Sequence, residues 1–317
     1  MPVEIIVNQI LILAIIAFVG VIASKFGVIS REAKDFLAKI IFNVTLPSML
    51  LVSFGSIDAT PRLLKNSAEF IGLSFFSILL LFVAGSAASK ALKLKGEDSA
   101  IFRLHSMMGN IIYLGFPVIY SLYGNEGILY GSLFTIVSNV ILWTFGVIII
   151  AGNSKMTVKE GLKYIINPNT VAILTGFCLF LLHVKFPKII VDSLGGLGST
   201  NTYLSILYIG SVLFYAKTGR YLKNKNIYVL SFNKMIFIPF LLIGIFWFAG
   251  TYTGLHFDRM VLSVLILESA MPCMVNVVIM AKILGIDDTA AVANVFVSTI
   301  LSIITLPLVL IFLTILK

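Results

Sequence analysis

The stretch HSMMGNIIYLGFPVIYSLYG, His105 to Gly124, decides how this sequence is read: it is apolar along most of its length yet carries Gly109, Asn110, Gly115 and Pro117 near its centre. Proline has no N–H to donate and its ring crowds the carbonyl one turn back, so a helix built from this stretch is interrupted. In water, solvent repairs such an interruption. In hydrocarbon each backbone group it frees costs several kcal/mol unless protein or ligand satisfies it.

Composition identifies the solvent. Of 317 residues, 59% are apolar and 12% charged, and the mean hydropathy is +1.06, whereas a soluble domain carries about 25% charged residues. A helix needs about 20 mostly apolar residues to cross a bilayer. The sequence offers ten such segments: 3–24, 35–55, 68–89, 101–123, 127–151, 168–186, 194–216, 231–252, 259–281 and 288–314. Nothing of domain size remains outside them, so residues 1–317 read as one all-α integral membrane domain. The first segment carries Glu4 in place of a basic leader and is longer than a signal-peptide core, which marks it as a retained span. Cys178 and Cys273 lie in apolar spans with no His or Cys at ligand spacing, so they read as packing residues, with neither a disulfide framework nor a metal site.

A net charge of +9 invites nucleic acid as a partner, but the basic residues are dealt out loop by loop and not gathered on one surface. On alternate loops stand Lys25, Arg31, Lys34 and Lys39; Lys90, Lys93, Lys95 and Arg103; Lys155, Lys159 and Lys163; Lys217, Arg220, Lys223, Lys225 and Lys234; and Lys282. The other side has only Arg62, Lys65, Lys185, Lys188, Arg259 and Lys317. The positive-inside rule then puts the first set in the cytoplasm of an inner-membrane protein and both termini outside, which an even number of spans requires.

Ten spans invite a search for halves. LPSMLLVSFGSI (46–57) in span two matches NTYLSILYIGSV (201–212) in span seven, and SLYGNEGILYGSLF (121–134) after span four matches KILGIDDTAAVANV (282–295) after span nine. Both pairs fall five spans apart. Because five is odd, the second copy lies upside down: a 5+5 inverted repeat, the arrangement of many secondary transporters. Span nine, LESAMPCMVNVVIMAKILG (267–285), is interrupted in turn by Pro272 and Asn276. Two matched breaks point to unwound backbone lining a cavity, where half-helix N-termini turn partial positive charge on an anion. The substrate-binding candidates are Gly109, Asn110, Pro117, Pro272 and Asn276. The alternative is that the prolines merely kink the spans and the asparagines mend the freed groups.

FNVTLPSMLL (42–51), GNIIYLGFPV (109–118), INPNTVAILTG (166–176), SAMPCMVNVVIMAKILG (269–285) and STILSIITLPLVLIFL (298–313) together resemble the auxin efflux carrier family. That family includes plant PIN-FORMED auxin exporters and bacterial malate and malonate permeases, and this chain is most similar to the bacterial type. The resemblance implies the fold of sodium/proton antiporters and bile-acid symporters, with broken helices four and nine crossing. It also implies a scaffold of spans 1, 2, 6 and 7 (about 3–55 and 168–216), a transport part of spans 3–5 and 8–10 (about 68–151 and 231–314), an elevator movement between them and a homodimer. The family's crossover asparagine carries over to Asn110 and its span-nine proline to Pro272. A second proline of the plant members is Val277 here, preceded by Asn276, and the long insert many of them carry between spans five and six is absent.

Ionisable residues inside a span are costly and mark function or a partner. Glu268, one helical turn before Pro272, is the coupling candidate, as a proton carrier or a sodium ligand; otherwise it is a protonated acid or the partner of a basic side chain. His105 reads as a satisfied structural residue and Arg103 as snorkelling to the interface. Asn43 and Thr45, beside the kink at Pro47, either line the scaffold side of the pocket or only pack. Gly127 and Gly131 form a small-xxx-small pair of little information. No His-Glu-x-x-His, no Gly-x-Ser-x-Gly and no paired carboxylates occur within a span, so the chain is not read as an enzyme, and no cofactor is expected. The function expected is secondary transport of small organic anions, dicarboxylates or auxin-like carboxylates, among membrane lipids and coupled to a proton or sodium if to any ion. The alternatives are a uniporter driven by membrane potential and a ligand sensor that does not transport.

Overall fold

Apolar segments that cannot leave backbone groups unpaired fold as helices, and the computed structural model, which describes residues 3–150, 158–215, 223–287 and 289–313, is all-helical there. In chain order the helices are α1 (Val3–Lys25), α2 (Arg31–Ile40), α3 (Leu46–Gly55), α4 (Pro61–Ala91), α5 (Gly96–Met107), α6 (Phe116–Ile141), α7 (Val147–Ile150), α8 (Val158–Leu162), α9 (Pro168–Leu181), α10 (Lys188–Tyr215), α11 (Lys225–Phe232), α12 (Ile238–Tyr252), α13 (Arg259–Ala270), α14 (Val275–Ile283) and α15 (Thr289–Leu313). Of the basic residues used to orient the chain, Lys155, Lys217, Arg220 and Lys317 lie outside the described residues.

Local sequence sets the helix starts. Thr60 before Pro61 accepts from Leu63 N at 3.3 Å. Asn167 before Pro168 accepts from the amides of Asn169 and Thr170, both at 3.1 Å. Each pairs a side-chain cap with a proline in the first turn, where the missing N–H costs nothing. Deeper prolines are met by a different device. Five-residue π turns at Ile41–Thr45, Ile111–Gly115 and Asn233–Phe237 each end two residues before Pro47, Pro117 or Pro239. The carbonyl that a proline ring would crowd lies four residues back, inside the widened turn, so the helix bulges where it would otherwise break.

Length separates whole helices from half ones. Among the described residues, five helical runs are long and apolar enough to cross a membrane: Arg31–Gly55, Pro61–Ala91, Ile111–Ile150, Lys225–Tyr252 and Thr289–Leu313. The third has 40 residues, about 60 Å at 1.5 Å per residue and twice the thickness of a hydrocarbon core. Gly124, with φ +60° and ψ −146°, divides it. By contrast α5 and α13 have 12 residues each, about 18 Å, and stop partway across.

α1 packs on α10, and α3 on both α9 and α10, while α4, α5, α6, α13 and α15 pack on one another; the two groups meet where α10 and α3 touch α6 and α1 touches α15. The α1–α10 seam is close. A Cβ at Gly210 would lie 1.9 Å from Ala17 O and one at Gly20 would lie 2.2 Å from Leu207 O, so only glycine permits the approach. Ser24 Oγ donates to Ser211 Oγ across it at 3.0 Å. Ile15, Phe18, Leu79, Ile148 and Ile304 are each more than half exposed, the surface of a multi-pass protein whose outer solvent is lipid.

Candidate functional site

The breaks between α5 and α6 and between α13 and α14 meet. Met108–Asn110 runs antiparallel to Met271–Met274, with Gly109 opposite Cys273. Asn110 N donates to Pro272 O at 2.7 Å and Met274 N to Met108 O at 3.2 Å. Cys273 N donates to Ser298 Oγ at 3.0 Å. Each break thus supplies the partners the other lacks, which is how unwound backbone survives away from water. A Cβ at Gly109 would stand 3.0 Å from both Glu268 O and Met271 Cβ, so any larger residue would have to push the facing segment back by a few tenths of an ångström.

His105 clamps the crossing from α5. Its Nε2 lies 3.2 Å from Met274 O and its Nδ1 3.1 Å from Asn294 Nδ2, which fits a neutral ring with the proton on Nε2. The expectation of a satisfied structural histidine is met. Asn110 is both structural and open: its Oδ1 accepts from Tyr113 N at 3.3 Å, capping the turn that leads into α6, while its buried Nδ2 has no partner among the described residues.

Glu268, in the last turn of α13, is 1% exposed, and both of its carboxylate oxygens lack a hydrogen bond among the described residues. The carboxylate lies in a notch: a Cβ at Gly115 would fall 3.0 Å from Oε2, and one at Gly131 3.2 Å from Oε1. Gly131, half of a pair that looked uninformative in sequence, makes room for the one acid buried at the crossing. Lys234, counted above as a loop charge, is a correction. It sits in the π turn before α12, which packs against α13, is 0% exposed, and donates through Nζ to Ser106 O at 3.3 Å. Its position inside segment 231–252 was the available signal, and hydropathy of the flanking residues hid it.

The remaining candidates spread out. Pro117 lies in the first turn of α6 and is not part of the unwound segment, because the π turn before it absorbs the proline. Asn276 likewise sits in the first turn of α14, beyond the unwound Met271–Met274. Thr45 is buried and donates to Asn201 Oδ1 at 2.9 Å, joining the π turn after α2 to α10. Asn43 is exposed and donates to Lys39 O at 2.9 Å.

Beside the crossing, reached through Ile112 and Asn276, opens a cavity of about 240 Å³. Asn139 and Asn169 line it at 6% and 3% exposure, with Asn139 Oδ1 and both side-chain polar atoms of Asn169 unpartnered among the described residues. Trp143 stacks on Tyr164 along one wall, ring centroids 4.5 Å apart, and Lys163 stands at the rim. Buried amides without partners are expensive, and here they face space sized for a small molecule under a cation. Sequence reading passed over Asn139 and Asn169, which are short polar side chains within otherwise apolar runs. No group of three or more His, Cys, Asp or Glu that could hold a metal occurs among the described residues.

A family model described as membrane transport protein matches residues 5–161 and, a second time, residues 153–310. An uncharacterized transporter of Methanocaldococcus jannaschii is 24% identical over 317 residues, covering 95% of this chain and 96% of its own length. An uncharacterized transporter of Methanothermobacter thermautotrophicus is 23% identical over 309 residues, covering 95% and 96%.

Proposed function

The chain belongs to the membrane transport protein family, of auxin efflux carrier type, and on that premise we propose that it is a secondary transporter of small organic anions, dicarboxylates or auxin-like carboxylates. The observation that carries this reading is the cavity beside the crossing, lined by the unpartnered Nδ2 of Asn169 and by Lys163. One amide N–H donor and one cation suit a carboxylate, the free amide oxygens suit a hydroxyl beside it, and the stacked Trp143 and Tyr164 suit an apolar body attached to it. Asn110, through its free Nδ2, and Asn276 contact the anion as it passes the crossing, and Gly109 and Pro272 keep the unwound backbone in place there.

The double match of the family model supports a 5+5 inverted repeat. So does the arithmetic of α5 and α13, which need α6 and α14 to complete a span. The packing of α1, α3, α9 and α10 apart from α4–α6 and α12–α15 supports a scaffold and a transport part that moves against it as an elevator. The sealed α1–α10 seam belongs to the scaffold, and two scaffolds pair as a homodimer. With Lys234 removed from the tally, sixteen basic residues against six still orient both termini outside the cell's inner membrane. A cysteine at Lys223 is labelled only after permeabilisation if that orientation holds.

Glu268 is the group through which a proton or sodium ion would be coupled. A second reading, a uniporter driven by the membrane potential, is favoured by Lys234, a basic side chain already buried on a turn packed against α13. The test is uptake of labelled malate, malonate, succinate, indole-acetate and short monocarboxylates into proteoliposomes, beside equilibrium binding in detergent. Saturable uptake of one of them is expected. Binding without flux makes the protein a sensor, and neither binding nor flux for any carboxylate removes the organic-anion reading.

A further inference from the structure

We propose that the turn joining α1 to α2 is a docking site for an anionic phospholipid, meeting the headgroup with Lys25, Arg31 and Lys39 and the acyl chain with Phe26 and Val28. The inference goes beyond the transport reading and needs only that the chain is a membrane protein. α1 has 23 residues, about 34 Å at 1.5 Å per residue, so a helix that crosses the hydrocarbon ends near headgroup level at Lys25. Past that end Phe26 and Val28 are 76% and 77% exposed, and Phe36 on α2 is 64% exposed. α2 itself buries no residue.

These side chains do not hang from a frayed end. The amides of Phe26, Gly27 and Ile29 donate to Ile22 O, Ser24 O and Ala23 O at 3.0, 3.1 and 3.2 Å, and Gly27 takes the left-handed φ of +76° that closes a helix. From α10 the Tyr215 hydroxyl donates to Ile29 O at 2.6 Å. Ile29 is buried, so the turn tucks one apolar residue in and holds two out. A rigid apolar display at the edge of a bilayer reaches acyl chains, and the charges around it select the headgroup. Lys34 is paired with Asp35 at 3.1 Å and Glu32 accepts from Ser30 Oγ, whereas Lys25, Arg31 and Lys39 have no ion-pair partner among the described residues. The Arg31 guanidinium lies over the Tyr215 ring, 5.5 Å from its centroid, held by the same residue that holds the turn. Three cations beside two outward apolar side chains fit a molecule with phosphate at one end and hydrocarbon at the other. A soluble phosphate would leave Phe26 and Val28 uncovered, and a second copy of this chain, paired about a two-fold axis, would set the same cations against each other.

The experiment reads Tm of the full chain in a neutral detergent with added phosphatidylglycerol, with phosphatidylcholine of the same acyl chains, or with water-soluble glycerol phosphate. Phosphatidylglycerol should raise the Tm of wild type by about 3 °C or more over phosphatidylcholine, as for a ligand that binds only the folded protein, and salt should shrink that preference. Glycerol phosphate should give no rise. Lys25→Gln/Arg31→Gln/Lys39→Gln and Phe26→Ser/Val28→Ser should each lose at least about half of the preference, while Lys90→Gln/Lys93→Gln/Lys95→Gln, which removes as much charge elsewhere, should keep it. The proposal is overturned if wild type does not distinguish the two lipids, if glycerol phosphate matches phosphatidylglycerol, if the Lys90, Lys93 and Lys95 variant loses as much as the Lys25, Arg31 and Lys39 one, or if Phe26→Ser/Val28→Ser keeps the full preference. A shift of Phe26→Ser/Val28→Ser to a smaller species on gel filtration also overturns it, since the turn would then be covered by a second copy. Should the triple charge variant of the turn fail to purify, an unchanged preference in Lys25→Glu overturns the proposal equally.

Discussion

The α1–α10 seam and the α5/α13 crossing both rely on glycine, to opposite ends. At the seam, Gly20 and Gly210 bring backbone against backbone, and the polar atoms there are paired, as between Ser24 and Ser211. At the crossing, Gly115 and Gly131 make room for a carboxylate whose oxygens have no partner. One region spends its small residues on closeness and leaves nothing for a ligand; the other leaves polar groups unsatisfied. On the proposed function, the paired polar atoms mark what holds still and the orphaned ones what would bind.

The sharpest way to break this contrast is Gly210→Val. Its Cβ would overlap Ala17 O, so α1 must separate from α10. Overpacking on this scale costs about 3 kcal/mol or more and should abolish a monodisperse species on gel filtration; a well-behaved variant of unchanged Tm would show the seam to be loose. Asn110→Ala and Asn276→Ala come next. Each should lower flux at least about tenfold, the worth of one hydrogen bond to a charged ligand, while the protein still inserts and elutes as one species. Asn110→Ala should in addition cost about 1 kcal/mol of stability as a lost cap. Near-normal flux in both would make the asparagines helix repair and move the site elsewhere.

Gly131→Ala sharpens the comparison on the other side. Alanine favours a helix over glycine by about 1 kcal/mol, so Tm should hold or rise. The new methyl, 3.2 Å from Glu268 Oε1, must displace the carboxylate, and flux should fall severalfold. Flux equal to wild type would mean that the position of Glu268 is immaterial. The smallest effect belongs to the exposed ion pair of Lys185 Nζ with Asp58 Oδ1, 2.7 Å apart. The bonded Lys185 ammonium holds the Asp58 carboxyl below its ordinary range. A lowered folded value stabilises above the unfolded one and is lost as pH falls through the folded one. The Tm gap between wild type and Asp58→Asn should therefore stay level from about pH 8 to about pH 5 and close below about pH 3, and salt should shrink it at every pH. A gap that grows in acid would contradict the pairing.

Much of this was legible in the chain itself. Apolar runs, with Asn110 in one and Pro272 in another, announce a membrane bundle with two breaks, because hydrocarbon tolerates so few backbone arrangements. The π turns were not legible: Pro47, Pro117 and Pro239 look alike whether a helix breaks or bulges, and packing decides. Lys234 was misread because a cation near a segment end is scored as interfacial when only its neighbours in sequence are seen. Its burial depends on Ser106, which lies 128 residues away. Asn139 and Asn169 were hidden for a related reason, since an unpaired amide and a paired one read the same until the fold shows which neighbours come near.

The two short bonds that join the breaks, Asn110 N to Pro272 O and Met274 N to Met108 O, also make a clock. Both amides are buried and tied to the opposite half of the chain, so neither can trade its hydrogen for deuterium until α5 and α13 part. If the halves travel as one body during transport, these amides exchange only as fast as the whole bundle unfolds, whatever the turnover of the carrier.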